Sequence, residues 1–218
     1  MTLIRDEAPT PMILGIDSSL SMLSVALVAD SGPVASVAVR GEGSRNEKLL
    51  PAIDWLLTQS GLDRSAIATI VVTRGPGSFT GVRIGLATAQ GLAFSLGARL
   101  FALSTHEAAL PEGVETALVH GDAGRGEYYV SGFRSGCEVL PPTLATPDDY
   151  DRLRKGYPLD IDVARESSIR SIALAAALKV RALGTSVEIT RYTDPTPLYV
   201  RPSEAEVRLE RRLEREQD

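Results

Sequence analysis

Two aspartates stand where apolar, strand-like runs give way to turns. Asp17 closes the run Met12 to Asp17 and is followed by Ser18-Ser19; Asp122 follows the run Thr116 to His120 and Gly121. A carboxylate at a strand end can hold a metal or take a proton. It can equally pin its own turn by accepting backbone N–H groups. With Ser18, Ser19 and Arg125, the two aspartates form the candidate set for nucleotide or anion binding.

The run from Arg74 to Ala93, RGPGSFTGVRIGLATAQGLA, is the most informative stretch. Gly75-Pro76-Gly77 forces a turn after the apolar strand Ile67 to Thr73. A glycine-rich turn ahead of a helix can cradle phosphate through its N–H groups. The lysine of a Walker A loop is missing, since Val82 and Arg83 follow Gly81, and the glycine spacing of a dinucleotide fingerprint fails. The reading favoured is a tight turn that feeds a close-packed helix, Thr80 to Leu96. That helix is apolar nearly all round, so it needs cover on more than one side. Gly81, Gly85 and Gly91 would let a neighbour come close.

Other reactive groups are few. His106 and His120 are the histidines, and their spacing cannot make a His-x-x-x-His zinc pair. No Gly-x-Ser-x-Gly elbow occurs. His106, on a short helix, is expected at the surface or satisfied by a neighbour. Cys137 is the single cysteine, which excludes an internal disulfide and a cysteine metal cluster; it is expected to line the core. No catalytic residue and no metal ligand is assigned.

The elements that must position these groups follow from periodicity. Strands are expected at Met12 to Asp17, Met22 to Ala29, Val34 to Arg40, Ile67 to Thr73 and Arg99 to Leu103. A polar loop, Gly41 to Arg45, precedes a helix from Asn46 to Gln59. Its Leu49, Leu50, Ile53, Leu56 and Leu57 share one stripe, and Pro51, Ala52 and Trp55 form a second apolar patch. Ser104 and Glu107 have capping-box spacing. After Pro111 to Glu115 the pattern recurs: a strand to His120, a turn at Gly121-Asp122, and strands at Tyr128 to Arg134 and Glu138 to Leu140. Helices at Pro147 to Lys155 and Ser168 to Leu183, a strand at Val187 to Thr190 and an extended Asp194 to Pro202 complete the expectation. Strand–Asp–turn–strand–turn–strand thus occurs twice, an internal duplication with a reduced second half. The division expected is residues 1–110, 111–202 and a charged tail, 203–218, with a helix capped by Ser203.

Composition bounds the rest. The 218 residues are 44% hydrophobic and 23% charged, with a net charge of −5. That balance fits an ordinary soluble globular protein and argues against this chain alone gripping a nucleic-acid backbone. No run reaches a membrane span, and Met1 to Pro11, with Asp6 and Glu7, does not read as a signal peptide. A cytoplasmic protein is expected.

Ile13-Leu-Gly-Ile-Asp17-Ser-Ser19 resembles the opening of the actin/Hsp70/sugar-kinase (ASKHA) fold. Asn46-Glu-Lys-Leu-Leu-Pro51, the Gly75 to Gly91 run, Gly121-Asp-Ala-Gly-Arg-Gly-Glu-Tyr-Tyr129 and Pro197-Leu-Tyr-Val-Arg201 together look like the bacterial TsaB (YeaZ) family. Arg45-Asn46-Glu47 departs from that family's His-Ser-Glu-like segment, and Gly124 replaces an arginine. The resemblance implies an inactive paralogue of TsaD that binds TsaD as a heterodimer and acts with the TsaE ATPase. The complex forms N6-threonylcarbamoyladenosine beside the tRNA anticodon. It also implies that ATP and metal sit on partner subunits and none on this chain, that tRNA is met only through the complex, and that the chain pairs with itself when alone. TsaD holds metal through a His-x-x-x-His pair; the matching Thr105 to Leu110 has one histidine.

The two helices with surplus apolar surface give that partner a place to dock. Leu49, Pro51, Ala52, Trp55, Thr80, Arg83, Leu86, Ala87 and Gln90 are the candidate contacts. The competing expectations are an ASKHA-type small-molecule kinase or ATPase and an M22-like metallopeptidase.

Overall fold

Alternation along β1 (Met12–Asp17) decides the first layer contacts. Leu14 and Ile16 point to one face of a sheet, Gly15 and Asp17 to the other, all buried. The structure is a computed structural model that describes residues 10–40, 45–184 and 186–201. β1 pairs antiparallel with β2 (Met22–Ala29), which pairs antiparallel with β3 (Gly32–Arg40). On its other side β1 runs parallel to β4 (Ile67–Thr73), and β4 to β5 (Arg99–Leu103). The first sheet therefore has the order β3-β2-β1-β4-β5.

The second sheet repeats this plan. β6 (Ala117–Gly124), β7 (Glu127–Arg134) and β8 (Cys137–Ala145) form an antiparallel meander, and β9 (Asp160–Asp162) lies parallel to β6. Its order, β8-β7-β6-β9, matches β3-β2-β1-β4 strand for strand, with no counterpart of β5 among the described residues. The α/β chain is thus an ASKHA-type duplication whose second sheet is smaller.

Helices fill the layers. α1 (Arg45–Gln59) and α2 (Phe79–Leu96) lie side by side on one face of the first sheet, where Leu49, Ile53, Leu56, Val82 and Leu86 pack on Leu14, Ile16 and Val25. Each such fully buried aliphatic side chain contributes about 1.5–3 kcal/mol. α2 starts at Ser78, whose side chain accepts from Gly81 N, and ends at Gly97 in the left-handed region at φ 65°. On the other face lie α3 (Thr105–Ala109), α5 (Val163–Ile169) and α6 (Ile172–Leu183), shared with the inner face of the second sheet. Gly15 permits this, because a Cβ there would overlap the Ala173 carbonyl of α6. α4 (Pro147–Arg154) covers the outer face of the second sheet through Tyr150 and Leu153.

Several expectations are corrected. Gly121-Asp122 continues β6, held by pairing with Tyr129 and Tyr128; the turn comes at Arg125-Gly126, both at positive φ. The expected single helix from Ser168 is two helices, because Ser171 caps a new start with its side chain on Leu174 N. Val187–Tyr192 is a 3-10 turn rather than a strand, and β9 had no expectation. Cys137 is exposed at the start of edge strand β8, not in the core. The tail helix from Ser203 and most of the Gly41 to Arg45 loop lie outside the described residues.

Candidate functional site

The outer faces of α1 and α2 carry apolar groups that the other described residues leave uncovered. Trp55 is 53% exposed, Leu50 50% and Phe94 92%. Pro51, Thr80, Arg83, Ala87 and Gln90 are exposed with them. Leu49, Ala52 and Leu86 are not part of this face. They are 1%, 9% and 3% exposed and belong to the core against the first sheet, one helical phase away from the stripe. Leu50 and Phe94 take their place. Phe94 was legible, since it lies seven residues after Ala87 and four after Gln90, on the same helix face.

The glycines of α2 serve a different contact from the one expected. A Cβ on Gly81 would overlap the Ser18 carbonyl, and one on Gly85 would lie 2.5 Å from Ser18 Oγ. The close neighbour is the chain's own first turn. Gly91 faces open space.

That first turn is locked. Asp17 is fully buried, and its Oδ1 accepts from Thr73 Oγ1 (2.5 Å), Ser19 Oγ (2.6 Å) and Ser19 N (3.2 Å). Thr105 Oγ1 meets Ser19 Oγ at 2.9 Å. Ser18 Oγ donates to Gly81 O at 2.7 Å, and Ser78 N donates to Ser19 O at 2.7 Å. The glycine-rich loop therefore spends its polar groups on the Asp17 turn.

The second turn is open. A cleft of about 500 Å³ lies between the two halves, bordered by Ser19, Ser78, Phe79, His106, Asp122 and Tyr129 among others. Asp122 Oδ1 accepts from Gly124 N at 2.7 Å, so it pins its turn as Asp17 does, but it is exposed. Of the five anion-binding candidates, Ser19 and Asp122 border the cleft. Asp17 and Ser18 are buried behind it, and Arg125 is exposed outside its lining.

His106 is 1% exposed, so of the two expectations, at the surface or satisfied by a neighbour, the second holds. Its Nδ1 lies 2.8 Å from Ser131 Oγ on β7. Burial, helped by nearby His120, pushes the imidazole pKa down to about 3, so the ring is neutral. Nothing in the local sequence signals this, because Ser131 is far along the chain. His120 lies on the other face of the second sheet, where its Nδ1 is 2.9 Å from Asp160 Oδ1 and Tyr150 Oη bonds the same carboxylate. The metal-site position after β5 lacks the expected pair, because Leu110 stands where a second histidine would be. Among the described residues, no three His, Cys, Asp or Glu side chains converge as a metal site. None of the described helices is long and apolar enough to cross a membrane.

The motif Pro197 to Arg201 is a clasp across both halves. Leu198 N donates to Arg74 O at 2.8 Å, and Arg74 Nη1 lies 3.3 Å from Asp194 Oδ2. Arg83 Nε donates to Tyr199 Oη at 2.7 Å, with its guanidinium 3.9 Å from the Phe79 ring centre. Arg201 then reaches the second sheet, bonding Ala123 O at 2.9 Å and the Glu127 carboxylate.

Comparison with known proteins bears on this arrangement. The family model described as "TsaD: tRNA N6-adenosine threonylcarbamoyltransferase" matches residues 43–205. The tRNA threonylcarbamoyladenosine biosynthesis protein TsaB of Escherichia coli is 37% identical over 122 residues, 54% of this chain and 52% of that protein. TsaB of Haemophilus influenzae is 40% identical over 82 residues, 38% of this chain and 34% of that protein. The matches thus span about a third to a half of the curated relatives' length. A Pseudomonas aeruginosa crystal structure titled as an uncharacterized protein with similarity to peptidase YEAZ superposes with a TM-score of 0.62 at 26% identity, covering 88% of this chain and all (100%) of that one. A second, "YeaZ from Pseudomonas aeruginosa", has a TM-score of 0.60 at 24% identity over 87% of this chain and 99% of that one, a likeness of fold. The chain belongs to the TsaD family of tRNA N6-adenosine threonylcarbamoyltransferases and, within it, to the TsaB (YeaZ) group.

Proposed function

We propose that this chain is a non-catalytic partner and activator of a TsaD-type threonylcarbamoyltransferase, in the formation of N6-threonylcarbamoyladenosine next to the tRNA anticodon. The observation that carries the reading is the uncovered apolar face of α1 and α2, with Trp55, Leu50 and Phe94 at least half exposed. Apolar surface of this kind marks an interaction site. Pairing with the equivalent helices of a related subunit would bury it as a helical bundle.

In this reading a TsaD-like protein is the heterodimer partner, and a TsaE-like ATPase joins the complex. ATP and metal belong to those subunits, and tRNA is met through the complex in the cytoplasm. A homodimer through the same face is the state of the isolated chain. The locked Asp17 turn supports a role without phosphate chemistry, because Asp17 Oδ1 and the Ser18 and Ser19 hydroxyls are already engaged within the fold.

The variant to test is Ala87→Glu. Ala87 is exposed on α2, so the monomer stays folded, and a buried glutamate in the interface weakens docking. The expected result is loss of co-purification with the TsaD-like protein and of modified tRNA in a strain that depends on this chain. Wild-type levels of both would refute the placement. Leu86→Arg, by contrast, strikes the core and cannot serve as an interface probe.

A further inference from the structure

A nearly buried imidazole turns one nitrogen toward the cleft between the two halves. His106 Nε2 has no hydrogen-bond partner among the described residues, while Nδ1 is engaged by the fully buried Ser131 hydroxyl. The ring borders the cleft beside Gly121, where an added Cβ would lie 3.8 Å from Nε2. The imidazole is neutral, since burial lowers its pKa to about 3. A neutral imidazole and a hydroxyl can exchange roles. When Nδ1–H donates to Ser131, Nε2 accepts; when Ser131 donates, Nε2–H donates. The atom facing the cleft can thus serve either side of a ligand hydroxyl.

The rest of the lining sets the charge of that ligand. Ser21 supplies a hydroxyl, Phe79 and Tyr129 supply rings, and the Ser19 and Ser78 hydroxyls border the cleft while bonded within the fold. Asp122 supplies a carboxylate, and the described lining has no lysine or arginine. The nearby arginines are turned to other work: Arg201 bonds Ala123 O and Glu127, and Arg83 lies on Phe79 and Tyr199. Backbone amides that could cradle a phosphate are used internally, Ser78 N on Ser19 O and Thr105 N on Gly75 O. The volume, about 500 Å³, suits a small ligand.

We infer that this cleft binds an uncharged, hydroxyl-rich small molecule of sugar or nucleoside size, held through His106 Nε2, and rejects the phosphorylated form of the same molecule. The inference does not rest on the docking face, whose outward side chains do not line the cleft.

The test is amide chemical-shift titration of the full chain with two matched pairs, adenosine with AMP and glucose with glucose 6-phosphate. At least one uncharged member shifts cleft residues saturably, and its phosphorylated partner binds about tenfold or more weakly. His106→Asn places an amide near Nδ1, keeps the Ser131 bond and removes Nε2, so it weakens the uncharged ligand by about tenfold with the fold intact. Asp122→Asn, at an exposed site, narrows the gap within the pair to about threefold or less. The inference is overturned if both uncharged probes fail to bind. It is overturned equally if a phosphorylated member binds as tightly as its partner, or if folded His106→Asn binds like wild type. Should that variant not fold, the matched pairs and Asp122→Asn decide alone.

Discussion

The turns after β1 and β6 occupy the same place in two copies of one plan, yet they are finished in opposite ways. Asp17 is buried under a glycine-rich loop that bonds to the Ser19 carbonyl and the Ser18 hydroxyl. Asp122 pins its turn with a single bond to Gly124 N and stays at the edge of the cleft. The first half has been packed shut and turned into a platform for two helices with an uncovered outer side. The second half keeps an open wall. The difference teaches that one duplicated motif can be put to structural use in one copy and left accessible in the other.

Matched substitutions in the two turns test that contrast. The largest effect is expected from glycine. Gly81→Ala drives a Cβ into the Ser18 carbonyl, so backbone must move, and a loss of about 3 kcal/mol or more should appear in thermal or urea melts. Gly126→Ala meets nothing within 4 Å and pays only for its positive φ of 78°, about 1 kcal/mol. Equal losses at the two sites would break the comparison.

The aspartates come next. Asp17→Asn weakens the bonds from Thr73 and Ser19 in a buried site, and about 2–3 kcal/mol of stability should be lost. Asp122→Asn, exposed and with one backbone donor, should lose about 0.5 kcal/mol. Chemical denaturation of both variants side by side measures the gap.

A smaller effect is carried by pH. The folded pKa of His106 lies near 3, below its ordinary value of 6.5, so the unfolded chain takes up a proton first as pH falls. Its contribution is whole above about pH 6.5 and declines by up to about 1.4 kcal/mol per unit as pH falls below that, until the folded ring itself titrates. Between pH 7 and 5, His106→Asn should flatten the stability curve relative to wild type. Parallel curves would show that the ring is not buried neutral.

The first half was the more legible in sequence for a physical reason. Strands β1 to β5 carry their own apolar runs, and α2 carries its own cap and stop, Ser78 and Gly97. In the second half the decisive contacts come from elsewhere in the chain. Gly121-Asp122 has turn composition, but pairing with Tyr128 and Tyr129 keeps it in the strand. Arg170 and Ser171 suit a helix interior, yet Ser171 instead caps α6, which leaves for the first sheet. β9 is only 3 residues long, too short for a period-2 pattern to declare itself. At the outer face of α1 and α2, periodicity found both helices but misjudged their phase by one position at Leu49, Ala52 and Leu86. Two adjacent apolar stripes on one helix do not say which faces the sheet. The role of His106 could not be read, because its burial depends on β7 crossing behind it.

The most direct measurement is the affinity of the purified chain for a TsaD-like subunit by isothermal titration, wild type against the double variant Trp55→Asp, Phe94→Asp. Both side chains are more than half exposed, so the fold is kept and only the outer face changes. The account predicts affinity weaker by about a hundredfold or more, as for paired interface anchors. An unchanged affinity in a folded double variant would contradict it.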